Sequence, residues 1–361
     1  MIYVETVTER VEQRNRMGTQ EGSKNVTIAD IARQAGVSKA TVSRAISGNG
    51  YVSDEKRQLI ESIVESTGFV PSATAQVLST QVSDTIGVII PEADNSFFSK
   101  ILAGVSEVID RNNYTLLLCH TENSADKDYR SLQIMLRQRV RGLIFTPSIE
   151  YGDEQVVQKV LNSLKMIQCP VVVLDRPIPQ YKSDVVSSDN FCGAYLATQE
   201  LIKAGHKRIG IVAGDMTLTI GRERFAGYRE AMKNAGLPCE ESDVIYGEFK
   251  EEITYAATKA FLAKDQGARA FFVSNNLESI GFLRAAFDSG IRIPEDMAYI
   301  GFDEVAGLNL FEKRFSYMDR HVTDLGRKAA ELLIDRLAHP ELDARNVMFD
   351  MTPKLFGSEK R

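Results

Sequence analysis

Thr27–Arg44 reads TIADIARQAGVSKATVSR, and this stretch decides the fold of the region around it. Ile28, Ile31, Ala32 and Ala35 recur at helical spacing, with Asp30 and Arg33 off that face. Thr27 is a natural N-cap, because its hydroxyl accepts a backbone N–H that the first turn leaves without a partner. Gly36 supplies a residue that tolerates positive φ where the helix must stop. Val37 then packs back on the pair, and Ser38 caps a second helix, Lys39–Ile46. Two short helices around a tight turn form a helix-turn-helix, whose second helix enters the DNA major groove.

Outward from this pair, a third helix is predicted over Asp54–Ser66, capped by Ser53 and ended by Gly68. It carries Leu59, Ile60, Ile63 and Val64 inward. Pro71 blocks further helix, and a short segment, Ser72–Leu78, follows. The string from Val26 to Ser79, VTIADIARQAGVSKATVSRAISGNGYVSDEKRQLIESIVESTGFVPSATAQVLS, resembles the headpiece of the LacI/GalR family of bacterial transcription regulators. The resemblance continues to about Ala338.

That resemblance implies an all-α helix-turn-helix headpiece plus hinge helix. A two-lobed α/β core of periplasmic-binding-protein type, with parallel sheets, comes after it. The expected divisions are a disordered extension at 1–23, a headpiece at 24–70, a hinge at 71–83 and a core at 84–361. Within the core, one lobe takes 84–180 with 320–343, and the other takes 181–319 with 344–357. Met17 stands where family members usually begin, which raises translation from Met17 as an alternative to Met1. Mass spectrometry of the native N-terminus tests this.

The resemblance also implies a homodimer on a pseudo-palindromic operator, because a two-fold protein mirrors a two-fold site. DNA contacts are expected from Thr27, Ser38, Lys39, Ala40, Thr41, Ser43 and Arg44. Lys39 and Arg44 suit guanine edges or phosphates, and Ala40 suits a thymine methyl. Thr41 and Ser43 suit phosphate, and Val42 is expected to be buried. In the hinge the expected residues are Ser72, Ala75 and Leu78, the last matching a leucine that wedges into the minor groove. Ser72, Ala73 and Gln76 stand where the family often has a basic residue and an Asn, so fewer phosphate contacts are expected there.

Net charge is −6, unevenly placed. From Lys24 to Val82 there are six basic residues (Lys24, Arg33, Lys39, Arg44, Lys56, Arg57) and five acidic (Asp30, Asp54, Glu55, Glu61, Glu65). A near-neutral headpiece puts weight on base contacts and DNA deformation rather than on charge. The first 24 residues carry acids and no apolar core, and no run of about 18 apolar residues exists. A cytoplasmic, nucleoid-associated protein is expected. Cys119, Cys169, Cys192 and Cys239 lack metal-ligand spacing and read as small buried hydrophobes in a reducing compartment. No metal or cofactor is expected.

From Asp84 strand-like runs alternate with amphipathic helical stretches. The runs are Ile86–Pro91, Thr115–Cys119, Gly142–Thr146, Val171–Asp175, Arg208–Ala213, Ala270–Ser274 and Ala298–Phe302. Repeated β-α units imply parallel sheets covered on both faces. By resemblance there are three crossovers, placed near Arg176–Asp189, Ser316–His321 and Asp343–Asn346.

Such sheets bind ligands beyond the carboxyl ends of their strands. Asp94, Ser96, Phe97 and Phe98 follow the first strand and combine hydrogen bonds with a stacking face. The family resemblance adds Arg224 in Arg222–Tyr228, Phe249, Asn275 in Ser274–Asn276, and Asp303 in Gly301–Glu304. Asn276 replaces the usual Asp. Arg224 suits ligand oxygens through its planar fork, and Asp303 is expected to pair with Arg224 or the ligand. Arg320 departs most from the family, which has an uncharged residue there. A second cation points to an acidic effector, a sugar acid or sugar phosphate beside plain sugars. A structural bridge from Arg320 to Asp319 or Glu304 is the bland alternative.

The expectation is therefore a repressor of carbohydrate genes controlled by a sugar-like effector. Alternatives are a catabolite-control regulator with a phosphorylated carrier protein as corepressor, and a sugar-binding protein or enzyme on the same fold. No GxGxxG, Walker loop, GxSxG or HExxH motif appears, which argues against an enzyme.

Overall fold

The computed structural model describes residues 26–47, 50–69, 83–148, 154–178, 180–264, 267–305, 307 and 314–360. The expectations for the extension 1–23, and for Ser72, Ala75 and Leu78, lie outside the described residues. The chain divides into two compact units, 1–81 and 82–361.

The first unit holds α1 (Ile28–Gln34), α2 (Lys39–Ser47) and α3 (Asp54–Thr67). A reciprocal capping box starts α1. Thr27 Oγ1 accepts from the Asp30 backbone N–H at 3.3 Å, and the Thr27 N–H donates to Asp30 Oδ2 at 3.1 Å. Gly36 takes φ 65°, which lets the chain turn at once toward α2. Ser38 Oγ accepts from the Thr41 N–H at 3.1 Å and so starts α2. Ile31, Ala32, Val42, Ala45, Val52, Ile60 and Ile63 form the core, with Val37 and Val64 packed against it. Two expectations fail here. Leu59 is 46% exposed, because its position on α3 turns away from α1 and α2. Ser53 stands at the N-cap of α3 but its side chain makes no capping hydrogen bond.

The second unit has two six-stranded sheets. The chain first lays down β1 (Thr85–Ile90), α4 (Ser96–Arg111), β2 (Thr115–His120), α5 (Ala125–Gln138) and β3 (Gly142–Phe145). It continues with α6 (Glu154–Met166), β4 (Val171–Leu174) and β5 (Asp184–Ser188). After α7 (Asn190–Lys203) come β6 (Gly210–Ala213), α8 (Thr219–Asn234), β7 (Val244–Tyr246) and α9 (Glu251–Leu262). Then follow β8 (Ala270–Val273), α10 (Asn276–Asp288), β9 (Ala298–Gly301) and β10 (Tyr317–Asp319). The chain closes with α11 (Val322–Ala338), β11 (Asn346–Phe349) and β12 (Thr352–Lys354).

One sheet is ordered β11-β5-β4-β3-β1-β2 and the other β12-β10-β9-β8-β6-β7. All pairs are parallel except β10 with β12. Both faces of each sheet are covered, so β1, β3, β4, β6, β8 and β9 are nearly continuous apolar runs. Each lobe thus has two apolar layers, one per sheet face.

Three connections join the lobes, at Asp189, at Arg320–His321 and at Asp350–Met351. The middle one falls where the sequence places it. The lobe boundaries need correction, because β5 and β11 both belong to the first sheet. Residues 184–188 and 346–349 therefore leave the second lobe, and the last crossover moves from 343–346 to 350–351. Both strands pair at the sheet's margin and alternate between more and less buried positions, so they lack the solid apolar signal of the central strands. Cys192 and Cys239 are exposed rather than buried.

Candidate functional site

Two places carry chemistry, and they are built in opposite ways. On the first unit, Lys39, Ala40, Ser43 and Arg44 of α2 are exposed, while Val42 and Ala45 face the core. Among these four, no side chain is buried against the helical core. Thr41 is half-buried, its hydroxyl 2.9 Å from that of Ser38. Thr27 and Ser38 are held in the caps already described, so their hydroxyls serve the backbone first.

In the second unit a cleft of about 260 Å³ opens between the lobes, at the carboxyl ends of the strands. Arg224 sits on α8 and is 1% exposed. Its Nε donates to Asn190 Oδ1 at 2.9 Å and its Nη1 to the Ser274 carbonyl at 2.7 Å. Among the described residues Nη2 is buried without a hydrogen-bond partner. The guanidinium lies 3.9 Å from the Phe302 ring centre and 5.5 Å from that of Phe249. Burial, with the like charge of Arg320, brings its pKa down to about 9. Phe249 takes φ 58° and its ring packs over Gly214, where an added Cβ would stand 1.9 Å from the ring. Glu278 is fully buried below it. It accepts from the Phe249 N–H at 3.1 Å and from Ser274 Oγ at 2.7 Å. Burial pushes its carboxyl up to about 8.

Arg320 is 3% exposed. Its Nε and Nη2 donate to the two Asp303 oxygens at 2.7 and 2.8 Å, and Nη1 reaches Asp175 Oδ1 at 3.5 Å. It therefore bridges neither Asp319 nor Glu304. Asp303 pairs with Arg320 rather than Arg224, and a buried carboxylate needs that partner. Asp303 faces a second groove together with Ser96, and Arg320 lines both this groove and the cleft. Glu304 instead meets Lys100 of the other lobe at 2.5 Å.

Phe97, Phe98, Arg224, Phe249, Asn275 and Arg320 all line the cleft. Asp94 is exposed and lines neither cavity, because the turn after β1 points it outward. Asn275 Oδ1 caps α10, accepting from the Leu277 N–H at 2.6 Å. Asn276 joins the lobes: its Nδ2 donates to Asn95 Oδ1 at 2.8 Å and to Ser96 Oγ at 3.1 Å. An aspartate could not donate either bond. Sequence reasoning missed Glu92, Asn123, Asp175, Arg176 and Asp215, which also line the cleft. Each follows a strand's carboxyl end, a signal that was available for Asp175 and Arg176 directly after β4.

Among the described residues no helix is long and apolar enough to cross a membrane, and no group of three or more His, Cys, Asp or Glu could hold a metal ion.

Residues 27–72 match the bacterial regulatory proteins of the lacI family. Residues 83–354 match the periplasmic binding proteins and sugar binding domain of the LacI family. The HTH-type transcriptional repressor PurR of Haemophilus influenzae (strain PittEE) is 32% identical over 330 residues, 91% of this chain and 96% of that protein. The transcriptional regulator CelR in its cellobiose complex is 28% identical, with a TM-score of 0.68 over 92% of this chain and 99% of that one. The lac repressor dimer bound to operator and the anti-inducer ONPF shares the fold, with 21% identity and a TM-score of 0.82 over 94% of this chain and all of that one.

Proposed function

Because the chain belongs to the LacI family of bacterial regulatory proteins, we propose that it is a dimeric, operator-binding transcriptional repressor whose effector is an uncharged, sugar-like polyol held between the lobes. The outward face of α2 supports the DNA reading: Lys39, Ala40, Ser43 and Arg44 are free of the headpiece core and stand on a helix of groove-filling dimensions. The single observation that carries the effector reading is the pairing of Arg320 with Asp303. An acidic effector would need Arg320 as a spare cation. That charge is already met by carboxylates of both lobes.

What remains in the cleft suits a polyol. Glu92, Glu122, Asp175, Asp215 and Glu248 stand against Arg176, Arg224, Lys250 and Arg320, five acids to four bases, among amides and the rings of Phe98 and Phe249. Sugars are gripped in this way, by hydrogen bonds around the rim and an aromatic face. The sugar-bound relative CelR fits the same class. The ligand acts by favouring one of two core arrangements, and its power is limited to its difference in affinity for them.

Two measurements test this. Arg44→Ala is expected to lower specific operator affinity by about 10- to 100-fold, the worth of one bidentate base contact, while its affinity for non-operator DNA changes far less. A thermal-shift screen of neutral sugars, sugar acids and sugar phosphates is expected to show stabilisation by a neutral sugar. Stabilisation by sugar phosphates alone would overturn the effector class.

A further inference from the structure

The side chain of Arg320 is seated as a bound ligand would be. Asp303 grips it with both oxygens, side-on, which is the geometry of a planar fork meeting a carboxylate. Its Cζ lies 3.8 Å over the Phe97 ring centre, so one face of the guanidinium is stacked. A second carboxylate, Asp175, is 3% exposed and meets Arg320 Nη1 at 3.5 Å and Arg176 Nε at 3.9 Å. These groups come from different parts of the fold. Asp175 and Phe97 belong to the first lobe, Asp303 to the second, and Arg320 to the crossover between them. Asp303 lines the groove beyond Arg320 and is absent from the walls of the effector cleft.

We propose that Asp303, Asp175 and Phe97 form a subsite for a planar cation of the guanidinium type, that the chain fills this subsite with its own Arg320, and that Arg320 thereby determines which effectors the cleft accepts. The inference rests on the reading of the cleft as the effector site. An effector cannot reach Asp303 without displacing a bidentate, stacked and buried guanidinium. It meets instead the Nη1 donor and Asp175, and is confined to the volume between Arg320 and Phe249. Removing Arg320 leaves the buried Asp303 without its cation and the buried Asp175 with Arg176 at 3.9 Å. Such a pair favours any ligand that brings a positive charge. Arg320 is thus a specificity-determining residue that excludes cationic ligands by supplying the cation itself.

The experiment uses the full chain and its Arg320→Ala variant, with low, non-denaturing guanidinium chloride compared against equal sodium chloride. Guanidinium is expected to raise the Tm of Arg320→Ala by several degrees over sodium, to leave wild type unchanged, and to lose its effect when Asp303→Asn is added. The specificity arm compares D-glucosamine with D-glucose at a pH where the amine is protonated. The amino sugar is expected to stabilise Arg320→Ala more than glucose does, by the equivalent of about tenfold in affinity, with no such preference in wild type. Guanidinium is expected to abolish the preference. A variant that answers to guanidinium no more than wild type does, or that is stabilised equally by the two sugars, overturns the proposal; if neither sugar shifts either protein, the sugar reading of the cleft fails and the guanidinium arm alone decides the subsite. If Arg320→Ala is recovered unfolded, the yield of folded protein on refolding with guanidinium against sodium is read instead, with the same two outcomes. DNA binding enters neither arm, so a failure of the repressor reading would show separately, in the operator measurements.

Discussion

The headpiece and the cleft treat their polar side chains in opposite ways. On α2 the groups expected to read DNA face water and touch little of their own unit. In and behind the cleft walls Arg224, Arg320, Asp303, Glu278 and Asn276 are all buried and already hydrogen-bonded to other parts of the chain. A surface that meets a large, charged, wet partner can leave its side chains free until contact. A cavity that must recognise a small molecule has to fix its donors in advance, since each loose side chain would have to be ordered on binding. The difference teaches that mutation should act on the two regions in different currencies, affinity alone in one and stability together with affinity in the other.

Arg224→Met breaks the comparison hardest if the cleft is as pre-built as its hydrogen bonds indicate. It leaves Asn190 Oδ1 and the Ser274 carbonyl without their shared donor. Each orphaned buried acceptor costs about 1–3 kcal/mol, so thermal unfolding of the core should fall by several degrees and any sugar-induced stabilisation should vanish. Operator affinity without effector should be retained. Loss of ligand response with unchanged stability would show that the cleft, like α2, keeps its polar groups in reserve.

Glu278→Gln sharpens the same contrast through pH. Burial raises this carboxyl from its ordinary 4.5 to about 8, so the folded chain retains a proton that the unfolded chain gives up. Its contribution is complete below about pH 4.5 and is lost as pH climbs toward 8. Denaturant titrations from about pH 5 to about pH 8 should therefore show the variant gaining on wild type as pH rises. A constant difference across that range would place Glu278 in contact with water. In the headpiece, Thr27→Ala removes a formed capping box and should cost about 1 kcal/mol of headpiece stability. Ser53→Ala removes a cap residue whose side chain makes no capping bond and should stay within about 0.5 kcal/mol. Both are measured by thermal unfolding of the headpiece helices.

How much could be read in advance follows the same division. The helix-turn-helix depends on neighbours a few residues apart, so Thr27, Gly36, Ser38, Val42 and Ile60 could be placed from spacing. Ser53 and Leu59 could not, because a favourable residue type does not fix where a side chain points. The central strands of both sheets stood out as apolar runs, whereas β5 and β11 hid among half-buried residues. In the cleft, residue types after the first strand located Phe97 and Phe98, and the family resemblance added Arg224, Phe249 and Asn275. Their partners were not legible: Arg320 meets Asp303 from 17 residues away and Asp175 from 145. Which carboxylate an arginine chooses is settled by packing, not by spacing.

The Asn276 amide ties together two positions 181 residues apart. Because it pairs neutral groups, this contact between lobes has no charge to be screened by salt or removed by acid, unlike the Lys100–Glu304 bridge near it. It also couples residues 95 and 276 in descent. A carboxylate at 276 would face an acceptor at 95, so a descendant that acquires the acid must change its opposite number in the same step or keep no more than the bond that the Ser96 hydroxyl can donate.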